Sequence, residues 1–330
     1  MSILVVGSVA LDSIQTPFGK VKEVLGGAAT YFSTAARLYG QAVNLVAVVG
    51  TDFPQEHVEF LRECGVSLDG LQVTQGKTFR WAGRYDYDMN TAETLDTQLN
   101  VFASFHPEIP DAYRDSEYVF LANIDPVLQL EVLSQVRRPK LTVLDTMNYW
   151  INYRKEALTE AISKVDIVLI NEAEARQYAN TFSLIRAARR ILSQGPKALI
   201  VKKGEYGAAM FANGDAPTRS FFFAPAYPLE KIEDPTGAGD SFAGGFMGYL
   251  ARQGLSARLA TSTLIKSQIK RAIVHGSVVA SFTVEGFGLD RLRRLTLEEI
   301  MTRYHDFREF TNFEPTCPWL DECTHLNPNG

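Results

Sequence analysis

Residues 234–242 read Asp-Pro-Thr-Gly-Ala-Gly-Asp-Ser-Phe, and a helical pattern follows from Ser241 to Leu250. Glycines in such a segment let the backbone turn tightly and approach a ligand closely. The N–H groups of residues 237–240 precede or begin this helix, so they have no partner inside it, and the positive end of the helix dipole lies there. The segment therefore predicts an anion site at a helix N-terminus.

Asp240 lies in the first turn of this helix, beside the predicted anion site. An acid at that position can be a simple helix cap. A cap alone would not require three small residues before it and a second acid, Asp234, six positions earlier. A carboxylate beside N–H donors suits phosphoryl transfer to an alcohol, because it accepts the hydroxyl proton while the donors stabilise the transferred group.

Strand and helix patterns alternate through most of the chain before this segment. Short apolar runs predict buried parallel strands at Ile3–Val9, Val43–Val49, Tyr118–Ala122, Leu141–Asp145, Ile167–Ile170 and Ala198–Lys202. Helical spacing predicts helices at Ala28–Leu38, Pro54–Cys64, Pro126–Val136, Tyr153–Ile162, Glu172–Tyr178 and Leu184–Ser193. Two further strands are expected at Ala208–Phe211 and Arg219–Ala224. This order predicts a parallel sheet covered by helices.

Two separated pieces of chain interrupt the alternation. Residues 13–25 contain a turn at Pro17 and Gly19, and residues 77–105 have a period of two. In the second piece charged residues alternate with aromatic ones, namely Phe79, Trp81, Tyr85 and Tyr87, and Asn90 indicates a hairpin turn. We expect antiparallel strands that form a small sheet outside the main one. Its aromatic face either packs against the body or a partner subunit, or covers a ligand as a lid.

Length and charge exclude several classes of protein. The chain has 330 residues, with 33 basic and 38 acidic side chains, so its net charge is −5. Such a balance is unsuited to coating nucleic acid, which requires a concentrated positive surface. Three cysteines do not make a secreted disulfide framework. Because there is no basic leader with a cleavage site and no apolar run near ~18 residues, we expect a cytoplasmic protein without a membrane segment.

The segment 234–242 resembles the C-terminal signature of the ribokinase/PfkB family of carbohydrate and nucleoside kinases. Five other motifs resemble those of the family and come in its order. They are Gly7-Ser8 with Asp12, the di-glycine Gly26-Gly27 ahead of a helix, Val49-Gly50-Thr51-Asp52, Asn171 with Glu174, and Lys203-Gly204 with Gly207. Together they extend over nearly the whole chain up to its C-terminal tail.

The resemblance implies a ribokinase-like three-layer core, with a mostly parallel sheet between helices, and a small β-sheet lid. The core would comprise residues 1–11, 28–76 and 106–311, and the discontinuous lid residues 12–27 and 77–105. Residues 312–330 are expected to form an irregular tail.

The resemblance also implies a role for each matching residue. Asp240 would be the catalytic base, and the backbone N–H groups of Gly237, Ala238 and Gly239 would form the anion hole. Asp12, Gly26 and Gly27 would bind the substrate. ATP would contact Lys203, Gly204 and Gly207, with His275, Val279 and Gly286 near the adenine. Asn171 and Glu174 would organise Mg²⁺ and the phosphates, mainly through water. Asp234, with Ser281, is a candidate for a monovalent cation such as K⁺.

Three positions depart from the family pattern. Ala28 to Tyr31 stand where an asparagine often reaches the sugar, and His275 replaces a frequent asparagine near the adenine. Trp150 stands where arginine is common. An arginine there would suit an acceptor that already carries phosphate, so its absence favours a neutral acceptor.

We therefore predict a kinase that moves the γ-phosphoryl group of MgATP to a hydroxyl of a small neutral carbohydrate. A nucleoside or a cyclic polyol such as inositol is the alternative acceptor. A non-catalytic member of the fold, which binds a nucleotide or a partner protein, is the alternative from another class. The presence of both Asp240 and Glu174 favours the enzyme. A homodimer through the lid is the predicted assembly.

Overall fold

A computed structural model describes residues 1–213, 221–256 and 263–312 of the chain. Its strands are β1 (Ser2–Val6), β2 (Ala10–Thr16), β3 (Gly19–Gly26), β4 (Ala42–Gly50), β5 (Val66–Thr74), β6 (Phe79–Tyr85), β7 (Ala92–Gln98), β8 (Tyr118–Leu121), β9 (Leu141–Asp145), β10 (Ile167–Asn171), β11 (Ala198–Lys202), β12 (Ala208–Ala212) and β13 (Phe221–Ala224). Its helices are α1 (Ala28–Ala36), α2 (Gln55–Glu63), α3 (Pro126–Gln135), α4 (Asn148–Tyr153), α5 (Lys155–Ser163), α6 (Glu172–Tyr178), α7 (Leu184–Leu192), α8 (Ala238–Arg252), α9 (Thr263–Thr283), α10 (Asp290–Arg294) and α11 (Leu297–Thr311).

The main sheet has nine strands in the order β13-β12-β11-β10-β9-β8-β1-β4-β5. All neighbouring pairs from β11 to β5 are parallel, and β12 and β13 add an antiparallel edge. The predicted mostly parallel sheet is thus confirmed. The chain runs from β1 to β4 on one side and returns to β8 on the other. Such a reversal of strand order leaves a crevice outside the carboxyl ends of the strands, which is where α/β proteins bind ligands.

The sheet separates two apolar cores, which gives the three layers predicted. Along β1, Ile3 and Val5 point into one core, and Leu4 and Val6 point into the other. The first core is covered by α1, α8 and α9, and the second by α3, α5, α6 and α7. Because both faces are buried, the strands are continuous apolar runs without polar alternation.

Two elements of the main body were not expected from the sequence. The strand β5 lies at the edge of the sheet, and its mixed, half-exposed side chains give neither a buried run nor a clean alternation. The short helix α4 follows β9 and precedes α5 after a single residue, where one helix was expected. The other predicted strands and helices are present, with ends that differ by a few residues. Arg219, at the start of one predicted strand, lies outside the described residues.

The second sheet has four strands in the order β3-β2-β6-β7. The pairs β2–β3 and β6–β7 are antiparallel hairpins, as predicted, and Asn90 lies in the turn of the second hairpin. The two hairpins join through β2 and β6, which are parallel, so the expectation of antiparallel pairing throughout is wrong at this junction. Tyr85 is buried, whereas Tyr87 lies beyond β6 with 84% of its surface exposed and does not share the aromatic face.

The four strands overlap the predicted lid segments 12–27 and 77–105 but do not coincide with them. The small sheet begins at Ala10, inside the predicted core segment 1–11. Residues 100–104 form a 3₁₀ turn, and Val101 and Phe105 pack into the main core. Of the predicted tail, Asn312 follows α11, and residues 313–330 lie outside the described part of the chain.

Candidate active site

The signature segment forms a left-handed turn that begins helix α8. Gly237 has a φ of 75°, and a Cβ atom there would lie 2.3 Å from the ring of Tyr31 on α1. Both the backbone conformation and the close ring therefore require glycine. Ala238 donates its N–H to the carbonyl of Pro235 at 3.2 Å, whereas the N–H groups of Gly237 and Gly239 donate to no group in the described residues. Two of the three N–H groups predicted to form the anion hole are therefore free to bind an anion.

Asp240 lies in the first turn of α8, next to these donors. Burial and the nearby Asp145 carboxylate raise its pKa to about 7, and the ammonium of Lys202 opposes the rise. Its carboxylate accepts no hydrogen bond from the described residues, so its lone pairs remain available. A group with a pKa near neutrality is well matched to taking a proton from an alcohol at physiological pH.

The predicted substrate acid, Asp12 on β2, lies beside the di-glycine motif. It is buried, and its Oδ2 accepts the N–H of Gly27 at 3.4 Å. A Cβ atom on Gly26 would lie 1.9 Å from the same oxygen, so only glycine leaves room for the carboxylate. Burial raises the pKa of Asp12 to about 7, and the carboxylates of Asp234 and Asp240 contribute to the rise. This coupling places Asp12 in the same acidic cluster as the candidate base.

Asn171 and Glu174 form a reciprocal capping box at the start of α6. The Oδ1 of Asn171 accepts the N–H of Glu174 at 2.8 Å, and the Oε2 of Glu174 accepts the N–H of Asn171 at 2.9 Å. The pair thus has a complete structural role. Burial nevertheless raises the pKa of Glu174 to about 7, with Lys202 opposing the rise and Asp145 adding to it. Glu174 therefore also belongs to the charged cluster at the carboxyl edge of the sheet.

The predicted nucleotide loop is shaped by two glycines with positive φ. A Cβ atom on Gly204 would lie 2.4 Å from Oδ1 of Asn90 in the turn between β6 and β7, and one on Gly207 would lie 2.1 Å from the carbonyl of Ala224. The loop therefore lies next to the tip of the β6–β7 hairpin of the small sheet. Lys203 pairs with Glu172 at the start of α6, so the structure does not bring its ammonium to the cluster around Asp240.

His275 lies in the core and not at the site. Its ring is stacked between Tyr249 at 4.3 Å and Tyr304 at 4.5 Å, and its Nδ1 pairs with the hydroxyl of Tyr39 at 3.1 Å. Because both faces of the ring are covered, none is left for an adenine. Val279 is also fully buried and packs against Gly245 of α8. Of the three residues predicted near the adenine, only Gly286 lies in a partly exposed loop.

Asp234 holds the signature segment against the loop after α9. Its Oδ1 accepts the N–H of Thr236 and its Oδ2 accepts the N–H of Gly288, both at 2.9 Å. Ser281, the second candidate for a monovalent cation site, accepts a hydrogen bond from Arg303 at 3.0 Å. These contacts give both residues a structural role in the part of the chain that the structure describes.

Comparison of this sequence with protein-family models assigns the chain to a family. Residues 2–292 match the description "pfkB family carbohydrate kinase". The chain belongs to this family. A cytidine kinase of Thermococcus kodakarensis is 33% identical over 256 residues, which are 76% of this chain and 89% of that protein.

Solved structures of pfkB-family and ribokinase-like proteins share the fold. The nucleoside kinase of Methanocaldococcus jannaschii superposes with a TM-score of 0.72 at 23% identity, over 92% of this chain and 98% of that one. A ribokinase-like protein of E. coli, solved with ATP and Mg²⁺, superposes with a TM-score of 0.73 at 18% identity, over 92% and 99% of the two chains. The predicted ribokinase-like fold is therefore confirmed.

In the described residues, no helix combines the length and apolar character that crossing a membrane requires.

Lys202 is a charged residue of this site that the prediction did not name. It is the last residue of β11, and its Nζ lies 2.6 Å from Oδ2 of Asp145 at the end of β9. The prediction instead assigned the ATP contact to the neighbouring Lys203. The alternation of side chains along a strand was the available signal, because it sends consecutive residues to opposite sides.

Proposed function

We propose that the chain is an ATP-dependent kinase that phosphorylates a hydroxyl of a nucleoside. The observation that carries the chemistry is the half-buried Asp240 carboxylate, free of hydrogen bonds from the described residues, beside the free N–H groups of Gly237 and Gly239. The nucleoside is the finer part of the proposal. It narrows the neutral carbohydrate expected from the sequence to a sugar that carries a base.

The reaction requires a proton acceptor and a charge-stabilising pocket at one place. Asp240 accepts the proton of the acceptor hydroxyl as its oxygen forms a bond to the γ-phosphorus, and the bond from that phosphorus to the bridging oxygen of ADP breaks. The N–H groups of Gly237 and Gly239 stabilise the negative charge of the group in transfer. Asp12 accepts hydrogen bonds from other hydroxyls of the acceptor and so orients it toward Asp240.

Mg²⁺ fits the donors at the carboxyl edge of the sheet. Glu174 supplies a carboxylate oxygen at this edge, the kind of ligand that this ion prefers, while Asp240 stays free to accept the proton. Among the described residues no three His, Cys, Asp or Glu side chains form a ready-made metal site, so the phosphates and water would supply most ligands. When bound, Mg²⁺ neutralises charge on the phosphates.

Trp150 supports a neutral acceptor that contains an aromatic base. Its Nε1 donates to Oδ1 of Asn123 at 2.9 Å, at the carboxyl ends of β8 and β9. An indole with an amide suits stacking and hydrogen bonding to a base, whereas the arginine common at this position suits a phosphate. The similarity to a cytidine kinase at 33% identity supports the same substrate class.

ADP release with MgATP and separate acceptors tests this function. The panel contains cytidine, adenosine, ribose, myo-inositol and fructose 6-phosphate, and Asp240→Asn serves as the control for release from other sites. We expect at least one nucleoside to exceed ribose and myo-inositol in kcat/KM. Preference for ribose or myo-inositol would show that the acceptor is a simple carbohydrate or a polyol and not a nucleoside. A flat response to the whole panel would favour a non-catalytic binding protein.

The monovalent cation stays a prediction. Asp234 has both carboxylate oxygens engaged by N–H donors, so a cation there would have to share them. Comparison of the preferred reaction in K⁺ and in tetramethylammonium chloride at equal ionic strength tests it. Higher turnover in K⁺ supports the site, and equal turnover contradicts it.

A further inference from the structure

The half-buried Lys202 lies near several carboxylates where the strands of the main sheet end. Lys202 at the end of β11 pairs with Asp145 at 2.6 Å, across the end of the intervening strand β10. Burial alone would lower the pKa of Lys202, but the charges of Asp145, Glu174 and Asp240 outweigh that effect and raise it. The side chain of Asp145 is 3% exposed and that of Lys202 is 18% exposed. Lys202 is thus the more exposed partner of the pair.

The ammonium also lies against the predicted anion hole. A Cβ atom built on Gly239 would lie 3.2 Å from Nζ of Lys202, so the ammonium approaches the backbone whose N–H is free. An ammonium has three N–H donors. In the described part of the chain, Lys202 uses one of them, toward Asp145. Free donors of Lys202 and Gly239 therefore flank the same place, next to the Asp240 carboxylate.

We propose that Lys202 binds the γ-phosphoryl group during its transfer and that Asp145 positions the Lys202 ammonium for this contact. The inference rests on the proposed phosphotransferase function and adds a side-chain cation to the backbone donors of the anion hole. Lys202 keeps its proton throughout the reaction. The proton of the acceptor goes to Asp240, and the only covalent change is the exchange of one phosphorus–oxygen bond for another.

The charge of the cluster favours a side-chain cation beside the phosphates. Asp145, Glu174 and Asp240 contribute negative charge near the place where a triphosphate would add more. Like charges at short range repel strongly in a partly buried site. In the described residues Lys202 donates one hydrogen bond, to Asp145, which leaves two of its N–H donors for a phosphate. A hydrogen bond to a charged group corresponds to a factor of about 10 to 100 in affinity.

Nucleotide affinity measured by calorimetry separates this role from a structural one. The ligands are the Mg²⁺ complexes of ADP and of the β,γ-imido analogue of ATP, which differ in the γ-phosphoryl group. For Lys202→Met we expect affinity for the analogue to fall about 10- to 100-fold, with a change below about threefold for ADP. Lys164→Met, at an exposed lysine that pairs with Glu160, is the matched control and leaves both affinities unchanged.

The double variant Lys202→Met with Asp145→Asn decides between the two roles. It removes both charges, so we expect it to recover the thermal stability lost when Asp145 is left unpaired, yet not the preference for the ATP analogue. Recovery of that preference in the double variant would overturn the proposal, because Lys202 would then serve only to neutralise Asp145. An unchanged preference in Lys202→Met would overturn it as well. If the parent chain binds neither nucleotide, the proposed function itself fails, and this inference fails with it.

Discussion

Asp240 combines a half-buried position, a free carboxylate and adjacent N–H donors, and replacing it tests the chemistry most directly. Asp240→Asn keeps the shape of the side chain but removes its ability to accept a proton. We expect turnover with the preferred acceptor to fall about 10²- to 10⁴-fold, the usual contribution of a general base. Affinity for the ATP analogue should remain, as measured by calorimetry. Turnover within a few-fold of the parent would contradict the assignment.

The pKa of Asp240 predicts how activity depends on pH. Its value of about 7 means that the carboxylate becomes protonated as the pH falls below 7, so kcat/KM should decrease there by about tenfold per unit. Asp12 titrates in the same range. Asp145 raises the pKa of Asp240 but does not act on that of Asp12. Asp145→Asn should therefore move the acidic limb to lower pH, and an unmoved limb would contradict this account.

Asp240 should lower the free energy of unfolding at high pH. Because its pKa is about 7 in the folded chain and ordinarily 3.8, the stabilisation from binding its proton is complete below pH 3.8 and is lost as the pH rises through 7. Asp240→Asn should then exceed the parent in Tm by more at pH 8 than at pH 5, where only part of the stabilisation has been lost. Calorimetric scans at both pH values measure the difference. An equal effect at the two values would show that the asparagine acts by other means.

At the level of residues, the sequence predicted the positions where backbone shape and chemistry coincide. Gly26 and Gly237 are required because Asp12 and Tyr31 lie directly against them, so these glycines and the acids near them stand out as motifs. The surroundings of Lys202 and His275 could not be predicted in the same way. Their environments depend on partners far away in sequence, namely Asp145 for the lysine and Tyr39 for the histidine.

At the level of elements, the hairpins of the lid could be predicted but their junction could not. The alternating pattern and the turn around Asn90 reveal the second hairpin locally. The parallel pairing of β2 with β6 joins residues about 70 positions apart, from Ala10–Phe79 to Gln15–Arg84. No local pattern specifies that register, because it is set by the packing of both hairpins above the main sheet.

The tip of the lid makes a contact that should help it to close. Nδ2 of Asn90 donates to Oε1 of Glu205 at 2.9 Å, and Oδ1 accepts the N–H of Glu205 at 3.3 Å, which ties the lid to the predicted nucleotide loop. We expect Asn90→Ala to lower kcat/KM for the acceptor about 2- to 12-fold, as for the loss of a hydrogen bond, without a change in Tm.

A double-mutant cycle checks whether this contact is the cause. Asn90→Ala combined with Glu205→Ala should be no worse than the more damaging single variant, because both remove the same link. Fully additive losses would show that the two residues act separately.

At the level of the whole molecule, the layered core followed from the apolar runs, whereas the edges of the sheets did not. The strands β1, β8, β9, β10 and β11 consist mostly of apolar residues, so their sequence alone predicts that they are buried. The edge strands β5 and β7 are half-exposed or fully exposed, so their composition resembles that of loops. Which edge strand binds a partner cannot be predicted from periodicity, because it depends on the exposed surface of the folded chain.

The strand β7 is the edge through which we expect two copies of the chain to associate. All seven of its residues are exposed, and Leu95 is 53% exposed beside a row of unpaired backbone groups. Antiparallel pairing of β7 with its counterpart would continue the small sheet across a twofold axis. Sedimentation velocity should show a dimer for the parent chain and a monomer for Leu95→Asp.

The matched control is Val73→Asp on β5, the exposed edge of the main sheet, where Val73 is 66% exposed. This variant should remain a dimer if association uses the lid. Dissociation by Val73→Asp but not by Leu95→Asp would move the interface to the main sheet, and a monomeric parent would contradict association altogether. If the small sheet acts as the predicted lid, a dimer through β7 should also tie its closure to assembly, so Leu95→Asp should raise the KM for the acceptor while Val73→Asp leaves it unchanged.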